Sequence, residues 1–88
     1  MTSKVEMVSV VIPTLNEAGT IKAAIDTIDK YVMYPKEIII VDSNSTDGTI
    51  EIVKDTNRCR LIIEPRRGYG IALRTGIKNA KGNIIIMV

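Results

Sequence analysis

The chain has 88 residues, of which 45% are hydrophobic and 25% charged, with a formal net charge of +2. Those values describe one small globular domain, or part of a larger one, and exclude a disordered segment or a general nucleic-acid binder. There is no His, Trp or Phe, and Cys59 is the single cysteine. Intrachain disulfides, cysteine zinc clusters and His-based chemistry are therefore excluded, and any acid, base or metal ligand must come from Asp or Glu.

Three Tyr are the only aromatic residues, so the core has to be built from Ile, Val, Leu, Met and Ala. No stacking platform for nucleobases is available. The apolar stretch from Met7 to Ile12 is too short for a signal peptide core and is preceded by Glu6. It is also far below the ~20 residues of a membrane-spanning helix. A cytoplasmic location is the expectation.

Residues 1–4 read as a frayed start. Val5–Ile12 is rich in Val and Ile and reads as the first strand, ended by Pro13, which has no N–H to give to a ladder. Thr14 to Glu17 is polar and loop-like. Thr20 or Asn16 is placed to cap the helix that follows. From Ala18 to Tyr31, Ile21, Ala24, Ile25, Ile28 and Val32 recur at three- and four-residue spacing, the signature of an amphipathic helix. Tyr34-Pro35 stops it.

Glu37–Val41 is a short apolar run ended by Asp42, which predicts a strand buried on both faces. Asp47 is placed to cap a second helix over Gly48–Asp55, with Ile50 and Val53 inward, and Thr56-Asn57 breaks it. Arg60–Ile63 is a third strand, ended by Glu64-Pro65. A loop of basic and glycine residues, Arg66 to Gly70, precedes a third helix from Ile71 to Ala80, with Gly82 expected as its left-handed terminator. Asn83–Val88 is a fourth strand.

The order β-α-β-α-β-α-β predicts an α/β fold of Rossmann-like type, a mainly parallel sheet with helices packed on it through right-handed crossovers. The last residues, Ile84 to Val88, form an apolar strand of the kind found in the middle of a sheet, with no turn or polar tail after it. That predicts a part of a larger domain rather than a finished small fold, since an exposed apolar edge is a liability.

In a parallel sheet the loops leaving the carboxyl ends of the strands share one edge, where ligands bind. Here those loops are Pro13–Glu17, Asp42–Asp47 and Glu64–Gly70. Glu17 and Asp42 are acceptors suited to a base or to ribose hydroxyls. Equally, Glu17 can serve the dipole of its helix, and Asp42 an Asx turn. Arg66, Arg67 and Arg74, beside Gly68 and Gly70, are suited to phosphates, or form a solvated basic loop. Gly68-Tyr69-Gly70 is half of a dinucleotide fingerprint. Leu73 stands where the third glycine belongs and no acid follows some 20 residues on, which rejects an NAD site.

Taken together, VSVVIPTLNEAGTI, EIIIVDSNSTDGT and RRGYGIALRTGIKNAKGNIIIMV, in this order and spacing, resemble the amino-terminal half of inverting GT-A glycosyltransferases. The likeness is to the family-2 branch that includes dolichol-phosphate mannose and glucose synthases, and it covers nearly the whole chain from Val8. It implies hexosyl transfer from a nucleotide-diphosphate sugar, such as GDP-mannose or UDP-glucose, to a polyprenyl or dolichyl phosphate or another glycan acceptor at the cytoplasmic face of a membrane.

By that resemblance, residues 1–88 are one nucleotide-sugar-binding subdomain. Pro13, Leu15 and Glu17 line the nucleotide pocket, and Asp42 and Ser43 reach base and ribose. Arg66, Gly68, Tyr69, Gly70 and Arg74 lie on the diphosphate side. Many relatives carry a second acid where Ser43 sits. A divalent metal, Mg or Mn, is expected for the family, held by an Asp-x-Asp motif that follows the strand matching Ile84–Val88; its ligands, the catalytic base and the acceptor site are expected outside this chain.

The rival expectation is a non-catalytic α/β module, either a bare nucleotide binder or a homo-oligomer assembling through its last strand. A nucleotidyltransferase is disfavoured, because no long glycine-rich, lysine-ended loop follows the first strand.

Overall fold

The computed structural model describes residues 6–88. The expected frayed start and the first residue of the expected first strand, Val5, lie outside them. Four strands and three helices alternate in the order β1 (Val8–Thr14), α1 (Ile21–Tyr31), β2 (Lys36–Asp42), α2 (Thr49–Thr56), β3 (Arg60–Ile63), α3 (Tyr69–Asn79) and β4 (Ile84–Met87). Every strand pairing is parallel, and the sheet order is β3-β2-β1-β4. The expected α/β class and alternation are what the structure shows.

Alternation along β1 and β2 divides the core in two. Val8, Val10, Ile12, Ile38 and Ile40 pack with Ile21 and Ile25 of α1 and Val53 of α2. Val11, Ile39 and Val41 face the opposite way, against Ala72 of α3. The β-branched run therefore is covered on both faces, as parallel strands require. Each fully buried Ile contributes roughly 1.5–3 kcal/mol relative to exposure, and Ile25, Ile39 and Ile40 are wholly buried.

Several boundaries differ from the sequence expectation, each for a local reason. β1 runs through Pro13 to Thr14. The carbonyl of Val11 accepts from Val88 on the β4 side, while that of Thr14 accepts from Ser43 on the β2 side. Alternation puts the position of Pro13 on the β4 side, so its missing N–H does not break the ladder with β2. Helix α1 starts at Ile21, not Ala18, because residues 18–20 form a turn in which Thr20 and Ile21 both donate to the Glu17 carbonyl. Thr20 is its N-cap residue but makes no side-chain cap; its hydroxyl donates to Glu17 Oε2 instead. Asn16 does not cap the helix either.

The N-cap of α2 is Gly48, at φ +98°. Asp47 acts from one residue further out, accepting the Thr49 N–H at 3.1 Å. α3 begins two residues early, at Tyr69. Gly82 is not a left-handed terminator; Ala80 ends the helix in extended conformation. Glycine is needed at 82 for space, since a Cβ there would lie 2.6 Å from the Met7 carbonyl and 2.7 Å from Ser9 Oγ. β4 stands at the end of the strand order beside β1, with Ile84 to Val88 all exposed. Among the described residues no helix is long and apolar enough to cross a membrane.

Two polar clusters tie the elements. At the amino ends of the strands, Glu37 accepts from Ser9 Oγ, Arg60 and the Lys81 N–H, while Ser9 Oγ accepts the Gly82 N–H. Beyond β3, Glu64 accepts from the Arg66 guanidinium, the Arg66 N–H and the Thr75 hydroxyl. The Arg66 guanidinium, then Thr75, hold the Glu64 carboxyl down from 4.5 to about 2.

Asp26 and Asp47 are likewise held low, Asp26 chiefly by Arg58 and Asp47 chiefly by the Thr49 hydroxyl. Burial pushes Glu37 up, but the bonds from Ser9, Lys81 and Arg60 outweigh it and its net shift is downward.

Carboxyls lowered in the folded state stabilise it above their ordinary range, and that contribution disappears as pH falls through the folded values. Stability is therefore expected to decline steeply between pH 4.5 and about 2. Glu64→Gln should be less stable at neutral pH and show a shallower decline in that window, read from melting temperature against pH; an unchanged slope would remove Glu64 from the account.

A second outcome concerns the seat of α3. A Cβ on Gly76 would come 2.2 Å from Val11 Cγ1, a wholly buried and rotationally stiff side chain. The overpacking cost of about 1–3 kcal/mol exceeds the gain of up to about 1 kcal/mol from replacing a helical glycine. Gly76→Ala should destabilise on balance, and Val11→Ala in the same chain should recover part of the loss. Strict additivity in that cycle would show that the two do not touch.

Candidate functional site

The sheet order makes the end of β1 a switch point. The chain leaves β1 toward β2 and β3 on one side, then returns by α3 to place β4 on the other. Crevices at such points, outside the carboxyl ends of the strands, are where α/β sheets hold ligands. A cleft of about 220 Å3 opens there, lined by Pro13, Thr14, Leu15, Glu17, Ser43, Gly68, Tyr69 and Ala72.

The structure thus brings together Pro13, Leu15, Glu17, Ser43, Gly68 and Tyr69 of the sequence-derived set. Asp42, Arg66, Gly70 and Arg74 are not among the lining residues. Asp42 is fully buried. Its Oδ1 accepts from Thr14 Oγ1 and Ser45 Oγ, both at 2.6 Å, and its Oδ2 accepts the Ser45 N–H at 2.7 Å. That carboxylate is engaged in shaping the loop beneath the cleft. Arg66 folds back on Glu64 in a two-pronged ion pair. Arg74 is exposed on α3, and neither it nor Arg67 is in an ion pair among the described residues.

Glu17 sits on an exposed loop whose backbone is held from the neighbouring one. Its N–H donates to Thr49 Oγ1 at 2.9 Å, and the next N–H, of Ala18, donates to Asp47 Oδ2 at 3.1 Å. The Thr49 hydroxyl in turn donates to Asp47 Oδ1. Asn16 adds a reciprocal pair: its N–H donates to Ser45 Oγ at 2.8 Å, and its Oδ1 accepts the Thr46 N–H at 2.9 Å.

Three residues of these two loops take positive φ, Asn16 (+55°), Asn44 (+60°) and Gly48 (+98°). These are residue types that enter the left-handed region at low cost. Asn16, Ser45 and Thr49 were not singled out as site residues from the sequence. The available signal was the density of Asn, Ser, Thr, Asp and Gly in 43–49, which marks side chains that bond backbone, but not to which loop.

On the opposite wall, α3 presents its amino end. Gly68, at φ +140°, is its N-cap residue, and no side chain caps the helix. Its first N–H groups and dipole make this end receptive to an anion. The site therefore has a carboxylate on one side and a positive helix end on the other. Among the described residues no group of three or more Asp, Glu or Cys side chains is placed to hold a metal ion.

The sequence profile of Glycosyl transferase family 2 matches residues 9–88. The chain is 36% identical to glycosyltransferase AglE of Haloferax volcanii over 93 residues, covering 97% of this chain and 30% of AglE. It is 34% identical to glucosyl-3-phosphoglycerate synthase of Mycobacterium tuberculosis over 90 residues, covering 92% of this chain and 28% of that enzyme.

Its fold superposes on the mannosyltransferase PcManGT from Pyrobaculum calidifontis, solved with GDP-Man and Mn2+, with a TM-score of 0.81. The identity is 36%, over 96% of this chain and 27% of that one. S. aureus TarS 1-349 gives 0.82 at 27% identity, over 93% and 26%. The chain thus spans about 30% or less of the length of these relatives, and its strands and helices match the amino-terminal part of GT-A structures. The chain belongs to glycosyl transferase family 2.

Proposed function

We propose that this chain is the donor-binding portion of a hexosyltransferase, and that its cleft receives the nucleoside diphosphate of a nucleotide-diphosphate sugar such as GDP-mannose or UDP-glucose. The observation that carries the reading is the cleft itself: one carboxylate, Glu17, stands across from the uncapped amino end of α3. Glu17 and Ser43 face the nucleoside. A carboxylate there accepts from base N–H groups or ribose hydroxyls.

The diphosphate lies toward Gly68, Tyr69 and Gly70, where helix N–H groups meet phosphate oxygens. Arg67 supplies a cation at that end. Arg74, further along α3, contributes through its field and not by contact, and Asp42 positions the Ser43–Ser45 loop instead of touching the ligand.

PcManGT and glucosyl-3-phosphoglycerate synthase were each solved with Mn2+. The side chains of the described residues do not form a fitting ligand set for such an ion. What these residues do is bind and orient the donor. In the whole enzyme the hexose then passes to a polyprenyl phosphate or another glycan acceptor.

The test is thermal shift of the 88-residue chain against GDP, UDP, GDP-mannose and UDP-glucose. One base should raise the melting temperature more than the other. Glu17→Gln should remove most of that rise without changing the unliganded melting temperature, and Arg74→Ala should reduce it less. A chain that melts cooperatively with no rise for any nucleotide would overturn the reading.

One observation favours a second reading, assembly: β4 lies at a sheet edge, and the five apolar residues from Ile84 to Val88, four of them in β4, are between 38% and 53% exposed. A discrete dimer in light scattering that Ile85→Lys converts to monomer would support it; a monomer at all concentrations would dismiss it.

A further inference from the structure

A buried carboxylate outside the cleft has no part in the reading above. Glu64 follows β3, is 7% exposed and does not line the cleft. Its N–H donates to the Asp42 carbonyl at 2.8 Å, which fixes it to the end of β2. From there its two oxygens hold the next segment at two points. Oε2 accepts the Arg66 N–H and Nε–H, both at 3.1 Å. Oε1 accepts from Arg66 Nη2 at 2.7 Å and from Thr75 Oγ1 at 2.9 Å.

These two points bracket the wall of the cleft that most needs fixing. Between them lie Gly68, at φ +140°, then Tyr69, Gly70 and Ala72. Two glycines at the start of a helix give that stretch little stiffness of its own. The first backbone bond of α3 runs from the Ala72 N–H to the Gly68 carbonyl, so the N–H groups of Tyr69, Gly70 and Ile71 stand ahead of the ladder. Those are the donors that an anion meets. Gly76 and Ala72 set how closely α3 lies on the sheet, but small side chains on an apolar surface do little to stop it sliding along its axis. The Thr75 bond opposes that slide, and the Arg66 bonds hold the loop that leads in.

The opposite wall carries its own sign of a ligand. Ser43 lines the cleft and is 5% exposed, and its hydroxyl has no hydrogen-bond partner among the described residues. A polar group so enclosed and still open to a cleft is one that a ligand satisfies.

We propose that Glu64 is a positioning residue for the diphosphate. Through Arg66 and Thr75 it holds the amino end of α3 at the place along the cleft where its N–H groups meet phosphate oxygens. The proposal rests on the nucleotide reading and adds to it a residue that touches no ligand.

The sign of the effect separates this role from others. Neutralising Glu64 removes a negative charge on the diphosphate side and frees the Arg66 guanidinium, and both changes favour an anion. Charge alone therefore gives tighter diphosphate binding, whereas lost positioning weakens it. A purely structural role lowers the melting temperature and leaves nucleoside and diphosphate affinities in the same ratio.

The experiment is NMR titration of the 88-residue chain with GDP, guanosine, UDP and uridine, repeated for Glu64→Gln and Thr75→Val. Thr75→Val is nearly isosteric, changes no charge and removes the helix contact alone, so it reports even where Glu64→Gln unfolds. Each should weaken the diphosphate of the preferred base about tenfold, the scale of a hydrogen bond to a charged group, and its nucleoside by less than about twofold. Thr75→Ser should keep the parent affinity. Equal losses for nucleoside and diphosphate, tighter diphosphate binding in Glu64→Gln, or unchanged binding in Thr75→Val would overturn the proposal. A parent chain that binds none of the four compounds would overturn the nucleotide reading, and this proposal with it.

Discussion

The site depends on one buried carboxylate. Asp42 ends β2 opposite Thr14, the last residue of β1, and takes three hydrogen bonds with no exposure to water. A buried charge without partners is costly, so this geometry persists only while Thr14 and Ser45 are in place. Ser45 then reaches the Asn16 N–H, and the loop after β1 is fastened to the loop after β2. The backbone continues the lacing: Ser43 donates to the Thr14 carbonyl and Glu64 to that of Asp42. Three strand ends are thereby held level beneath one cleft. Glu17 is reached last in this chain of bonds, through Thr49 and Asp47.

The other wall is set by packing instead of polar bonds. Gly76 lets α3 lie directly on Val11, with Ala72 wholly in the core against the same face. A larger residue at either position would lift the helix and carry Gly68 and Tyr69 away from Pro13 and Leu15. The two small residues, one turn apart, thus fix the width of the cleft from its far side. The Glu64–Thr75 bond fixes the helix along its length. At the amino ends of the strands the Glu37 cluster serves stability alone, since it lies at the opposite edge of the sheet from the cleft.

The architecture was legible because its signals are redundant. Ile38 to Val41 has only one way to be buried, and the alternation of such runs with three-to-four-residue periodicity leaves a parallel sheet as the packing solution. Boundaries were less legible where a tertiary partner decides them. Pro13 stays in β1 because alternation turns its blank side away from the ladder with β2. Gly82 is there for the approach of Met7 and Ser9, which no local pattern announces.

In the site, sequence reasoning could place loops on one edge but not apportion their polar groups. Asp42 and Glu17 looked equivalent from the sequence, two acids in two loops. The structure separates them by a single difference: Asp42 has Thr14 and Ser45 within reach and is sealed, whereas Glu17 keeps an exposed carboxylate on a braced backbone.

That separation bears on how the cleft can change its ligand. The groups that shape it, Asp42, Ser45, Asn16, Asp47 and Thr49, are bonded to one another across the loops, so altering any one disturbs the rest. The lining positions Leu15 and Glu17, by contrast, are exposed. Ser43 offers the cleft a side chain while only its backbone is engaged in the strand ladder. Substitution at these three alters what the cleft recognises without dismantling its frame. Selectivity among bases therefore rests on few side chains, and the frame beneath them is general.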